Sequence, residues 1–402
     1  MIPKSGLRRF LSILLILFTT FLVTACNSNE ESPGPLEEEK SEILQSGSIT
    51  VQEVKADLPQ SDLTYPQVTG FSDQALEERI NKILKNEAFS YREKTLKEAT
   101  ELELDGEKMS FYGDFEVAYN QSGLLSIAMP QGSYFEGAAH PNNYLSAITV
   151  DVKEGKIVYL PELFTEKTDL KALLDPLMEA QIKARNLTLL ADFAGLEEAQ
   201  EYYLGPAHLI IYYQTYAYTP HAYGPLKLAI PYQQVAEHLD PRWGLLERAT
   251  NMPTDEEVRN LLLEAHKKYL YLARGGAVTG DFENFTYEGM DYRYLQGDIA
   301  TRQGLLAYLS PIFTATAIEQ SLQNMAIIEH EGRMAQPNAD GGSMLNWEKL
   351  TLQLIDEGEK KRVYEIFIPH DTSPDDSETW RCVIVQDQDG TWKTIETVDS
   401  FM

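Results

Sequence analysis

Cysteine is nearly absent from this chain of 402 residues: Cys26 and Cys382 are the two. Positive charge is scarce as well. Lys and Arg number 34 against 62 Asp and Glu, for a formal net charge of −28. That balance argues against a nucleic-acid partner, whose phosphates would be repelled, and against direct docking on anionic lipids. It favours basic partners, or serves solubility alone. Long apolar runs are lacking too. Phe10 to Val23 is too short and wrongly flanked for a transmembrane span. The sequence has no G-x-S-x-G elbow, Walker loop or G-x-G-x-x-G turn. His330-Glu331 starts like a zinc-protease helix, but Met334 stands where its second His belongs. Ser343 follows two glycines with no nearby His to act as its base. Carboxylates abound, yet no spacing singles out a glycosidase pair. The expectation is a non-enzyme that needs no cofactor.

What is present begins with an address. Lys4, Arg8 and Arg9 precede the apolar run, which ends in Leu22-Val23-Thr24-Ala25-Cys26. This resembles a bacterial lipobox, whose cysteine is diacylated and becomes the new N-terminus. Residues 1–25 then form a lipoprotein signal peptide, and Cys26 carries the lipid. The chain is held on the extracytoplasmic face of the cell membrane without spanning it. With Cys26 consumed, Cys382 has no partner for a disulfide; its strand-like surroundings point to a buried, inert thiol. Residues 26–47 are rich in Ser, Asn, Pro and Glu, with Pro33-Gly34-Pro35 and Glu37-Glu38-Glu39 close together. Such a composition buries too little to order itself and reads as a flexible tether.

Two α+β domains with antiparallel sheets are expected beyond the tether, over residues 48–244 and 253–402. In the first, a helix starts at Ser72-Asp73 and carries Ala75, Leu76, Ile80, Ile83 and Leu84 on one stripe. Phe111–Tyr119 and Leu124–Met129 alternate as one hairpin; Tyr144–Val150 and Lys156–Leu160 form another. Glu136-Gly137-Ala138-Ala139-His140-Pro141-Asn142 and Tyr218-Thr219-Pro220-His221-Ala222-Tyr223-Gly224-Pro225 stand out as unusual turns. Both segments resemble the extracellular domain shared by the lysozyme-binding anti-sigma factor RsiV and the accessory region of some peptidoglycan deacetylases. Ala138 departs from it, since a second glycine is common there. His140 and His221 tempt a metal reading, but neither has an acidic or Cys partner at ligand spacing, so no metal is expected.

In the second domain, Thr254-Asp255-Glu256-Glu257 reads as a capping box for a helix that stops at Gly275-Gly276. Strands follow around a Glu288-Gly289 turn, then helices from Thr301 and Thr314, and a closing meander of four strands. Between helices and meander lies Glu331 to Trp347, read as a shaped loop. Pro337 lacks a donor, Gly341 and Gly342 permit positive φ, and Asn338 and Asp340 can fold back on the backbone.

Phe285-x-Tyr287-x-Gly289-x-x-Tyr292-Arg293-Tyr294-Leu295, then Arg333-x-Ala335-Gln336-Pro337-Asn338-Ala339-Asp340-Gly341-Gly342-Ser343 and Trp347, occur in that order. Together they resemble the IseA-type DL-endopeptidase inhibitor family. The resemblance implies a binding protein that blocks the catalytic domain of NlpC-type cell-wall endopeptidases. It places partner-binding residues at Tyr292, Arg293, Tyr294, Arg333, Gln336, Asn338, Asp340, Gly341, Gly342 and Ser343. The departures are the acidic segment from Asp371 to Glu378 and the fusion of two domains. The plainer reading of Tyr292, Tyr294 and Trp347 is core packing, and of Arg333 a fold-internal ion pair. A second function stays open beside inhibition: a sensing lipoprotein whose first domain captures a secreted wall hydrolase such as lysozyme.

Overall fold

A computed structural model describes residues 43–46, 49–246, 252–339, 345–371 and 377–402. Cys26 and the tether lie outside the described residues. The architecture is α+β. Its first half is built on one large sheet: β1 (Ile43–Ser46), β2 (Ile49–Lys55), β3 (Ser61–Thr69), β4 (Met109–Gly113), β5 (Glu116–Gln121), β6 (Leu124–Phe135), β7 (Asn142–Asp151) and β8 (Lys156–Ile157). Strand order is β1-β2-β3-β4-β6-β7-β8, with β5 also paired to β6. Every pairing is antiparallel except β3 with β4.

Helix α1 (Gln74–Glu101) starts where expected, because Asp73 accepts from the amides of Ala75 and Leu76. It lays Ile80, Leu84 and Ala88 on one face of the sheet, against Val51, Val68, Ile127, Ile148 and Val150. Phe111–Tyr119 is not one strand. The Asp114 carboxylate accepts the Phe115 amide at 2.7 Å and the Thr64 hydroxyl at 2.8 Å. That local side-chain bond interrupts the ladder, and β4 and β5 pair with different ends of β6.

After α2 (Leu170–Ala184), a smaller sheet of β9 (Tyr202–Leu204), β10 (His208–Tyr213) and β11 (Leu226–Pro231) runs in the order β11-β10-β9. The second half opens with α3 (Asp255–Ala273), whose Thr254 and Glu257 form the expected capping box. Thr254→Ala is expected to cost about 1 kcal/mol, read as a lower urea midpoint at unchanged slope. β12 (Asn284–Tyr287), β13 (Met290–Tyr294), α4 (Arg302–Leu309), α5 (Ala315–Asn324), β14 (Ile328–His330) and β15 (Arg333–Pro337) follow. A four-stranded meander closes the chain: β16 (Thr351–Gly358), β17 (Lys361–Pro369), β18 (Ser377–Gln386) and β19 (Trp392–Thr394). Cys382 on β18 is fully buried and free.

Residues 41–402 form one compact unit. A single apolar cluster joins Leu145, Tyr203, Ile210 and Ala229 of the first half to Leu262, Phe313, Leu354 and Tyr364 of the second. Ion pairs cross the same seam, one buried and one half-buried. Arg185 Nε meets Glu365 at 2.7 Å, and Lys227 Nζ meets Asp356 at 2.5 Å. Glu357, 1% exposed, accepts from the Ala207 amide at 2.7 Å and from Arg362 Nε at 2.7 Å, with His208 Nδ1 at 3.0 Å.

Candidate functional site

The expected partner-binding residues converge on the sheet β12-β13-β15-β14. Two tight turns shape it. Glu288-Gly289 and Glu331-Gly332 both have positive φ at each central position, the geometry that matches strand twist in two-residue hairpins. Alternation along β13 then sends Tyr292 and Tyr294 to one face and Arg293 to the other.

The expected loop from Glu331 to Trp347 is therefore corrected at its start: Arg333–Pro337 is strand β15, between β13 and β14. Pro337 fits because of register. Asn338 donates its amide to the Asp291 carbonyl at 2.8 Å, so the hydrogen that Pro337 lacks would point away from β13. On that other side β14 already stops, at Ile328 opposite Ala335. A proline at a strand end costs no ladder bond there.

On the aromatic face, Tyr292 and Tyr294 are 3% and 4% exposed. Phe285 packs tilted against Tyr294 at 4.7 Å and stacks on His330 at 4.2 Å between ring centroids. Tyr294 Oη is hydrogen-bonded to His330 Nδ1 at 2.6 Å. Desolvation, then the nearby Glu331 and Glu283 carboxylates, holds the Tyr294 hydroxyl above its ordinary range, which keeps it neutral. Arg333 lies over the Tyr294 ring at 3.8 Å and pairs with Glu283 at 2.6 Å.

On the opposite face, Arg293 and Gln336 sit directly across from each other. Both donate to the Ala273 carbonyl at the end of α3, at 2.7 and 3.1 Å. Arg293 also lies over Phe282 at 4.7 Å. A cation at a helix C-terminus is favourably placed against the macrodipole. These two side chains fasten the sheet to α3 and are buried in doing so.

Asn338 alone of the described candidates is exposed. It leaves β15 beside the β12–β13 turn, where Tyr287 and Met290 are 41% and 51% exposed. Asp340, Gly341, Gly342 and Ser343 lie outside the described residues. Trp347 is core, with His266 stacked on it at 4.6 Å. His330 was missed as a member of the aromatic cluster. The signal available was the pairing of Phe285-x-Tyr287 with Tyr292-x-Tyr294, whose alternation stacks rings on adjacent strands.

In the first half, the two unusual turns meet. His140 and His221 lie 4.3 Å apart between ring centroids, and both contact the Pro141 carbonyl, at 3.0 and 2.9 Å. Among the described residues no group of three or more potential metal ligands occurs.

Comparison with known proteins finds family models that these regions match. Residues 250–400 match the IseA DL-endopeptidase inhibitor family. Residues 52–143 match a family described as deacetylase PdaC, and residues 161–233 match one described as protein of unknown function DUF3298. The uncharacterized protein YoeB of Bacillus subtilis (strain 168) is 36% identical over 85 residues, 21% of this chain and 47% of that protein. The chain thus spans about half the length of that curated relative. Two solved DUF3298 structures are similar. One, from Bacteroides fragilis NCTC 9343, has 18% identity and a TM-score of 0.33, over 52% of this chain and 99% of its own. The other, from Pseudomonas aeruginosa PAO1, has 16% identity and a TM-score of 0.36, over 49% and 94%. Inhibitor-like residues thus follow deacetylase-accessory-like residues in one chain, as the motifs implied.

Proposed function

We propose that this protein is a lipid-anchored inhibitor of NlpC-type peptidoglycan DL-endopeptidases, held by Cys26 on the extracytoplasmic face of the membrane. The observation that carries the reading is the match of residues 250–400 to the DL-endopeptidase inhibitor family. Geometry supports it in one respect. An inhibitor needs a surface that does not yield when a partner closes on it. The sheet under Asn338 is braced on one face by packed rings and on the other by Arg293 and Gln336. The contact surface in this reading is the corner formed by Tyr287, Met290 and Asn338.

The test mixes the purified chain with an NlpC-type endopeptidase and follows muropeptide release. Inhibition is expected, and Asn338→Ala is expected to weaken it about tenfold at unchanged melting temperature. Asp340→Ala is expected to do the same. Full turnover at saturating protein sinks the proposal. Wild-type inhibition left intact in both variants moves the contact elsewhere on the domain.

A further inference from the structure

The open part of the large sheet carries a second set of side chains that inhibition does not use. Tyr112 on β4 is opposite Gly132 on β6, which is opposite Asn143 on β7. All three therefore face the same side. The tyrosine crosses over the middle strand: its Oη donates to Asn143 Oδ1 at 3.1 Å. A Cβ at Gly132 would stand 2.2 Å from the ring, so only glycine leaves room for the ring to lie on the backbone. Tyr112 is thus pinned at its tip and remains 38% exposed.

The row continues sideways. The Gln214 side chain clips the β10–β11 bend to β7, with two hydrogen bonds to the Leu145 backbone at 3.1 and 2.6 Å. That brings His221 against Asn143 and His140, and Tyr216, 53% exposed, sits 6.1 Å from His221 between ring centroids. The segments forming this face are almost uncharged. Tyr134 to Tyr144 contains only Glu136, and Gln214 to Pro225 contains no Asp, Glu, Lys or Arg. In a chain with net charge −28, such a face complements a neutral ligand.

Hydrogen-bond direction narrows the ligand further. A carbonyl can only accept, so His140 donates from Nδ1 and His221 from Nε2 to Pro141. A ring that carries a single proton leaves its other nitrogen as an acceptor. Those acceptors call for hydroxyl or amide donors. A polyproline segment, the other usual occupant of aromatic-lined surfaces, offers none.

We propose that the face formed by Tyr112, Asn143, His140, His221 and Tyr216 binds an uncharged oligosaccharide, with sugar rings stacked on the tyrosines and hydroxyls donated to the imidazoles. The site is independent of the inhibitory corner, so neither reading falls with the other.

Isothermal titration of the full chain with chitohexaose and with cellohexaose tests it. Saturable binding to at least one is expected, changing less than about twofold between roughly 50 and 500 mM NaCl because no charge is involved. Tyr112→Ala and Tyr216→Ala are each expected to weaken it about tenfold. Tyr216 is exposed on a bend, so its variant reports on binding even if Tyr112→Ala folds poorly. Four results overturn the proposal: no binding to either sugar, loss of binding at the higher salt, full affinity in Tyr216→Ala, or binding of a proline decapeptide with neither sugar bound.

Discussion

Glu357→Ala is expected to destabilise the protein by about 3–5 kcal/mol, the cost of removing one partner from a buried charged network. The carboxylate satisfies Arg362, His208 and the Ala207 amide at once. Without it, Arg362 stays buried with its charge uncompensated. Urea denaturation measures the loss. A change below about 1 kcal/mol would mean that water replaces the carboxylate at little cost. The same site sets an acid limit. Burial alone would raise the Glu357 pKa, but His208, Arg362 and the Ala207 amide bring it below the ordinary 4.5. Asp356 behaves alike: burial opposes ionisation, and Lys227 with Lys361 more than offsets it, to below 3.8. Both carboxyls bind protons more weakly in the folded state. Their stabilisation is present above the ordinary carboxylate range and is lost as pH falls through the depressed folded values. Urea midpoints are therefore expected to hold from pH 7 to about 5 and to fall below about 4. A fall already complete at pH 5 would contradict this.

Arg293→Ala is the second large effect, about 2–3 kcal/mol. It removes a charged donor from the end of α3 and the cation over Phe282. Inhibition and melting temperature are expected to fall together. Asn338→Ala, by contrast, is expected to separate them. Arg293→Ala with unchanged melting and lost inhibition would return this side chain to the contact surface. That pair of variants divides the family-implied residues into those that build the surface and those that present it.

Much of the local structure was legible in sequence because it rests on short-range chemistry. Asp73, Thr254 and Thr314 are caps whose side chains bond amides two or three residues on. The Glu288-Gly289 turn follows from positive φ at its glycine. The order of motifs around Tyr292 and Gln336 carried the resemblance that the match over residues 250–400 bears out. Burial was harder to read. The resemblance placed Arg293 and Gln336 among the partner-binding residues, and only the Ala273 carbonyl at the end of α3 explains their burial. Glu357 sits in Asp356-Glu357-Gly358-Glu359-Lys360, a run of charges around one glycine. Its partners Ala207 and His208 lie about 150 residues away, and no local pattern announces them. Pro337 misled for a related reason. A proline forbids a strand only where its missing hydrogen would have found an acceptor.

The apolar cluster shared across the seam has a consequence for how such a chain can change over generations. Two modules joined by a passive linker drift independently, each answering for its own stability. Here a substitution at Tyr203 or Ile210, on strands of the first half, alters the bed on which Leu354 and Tyr364 rest. Unfolding is then one cooperative event, seen as a single calorimetric endotherm. The inhibitor-like half inherits every loss suffered by its neighbour, and selection for one activity polices the sequence of both.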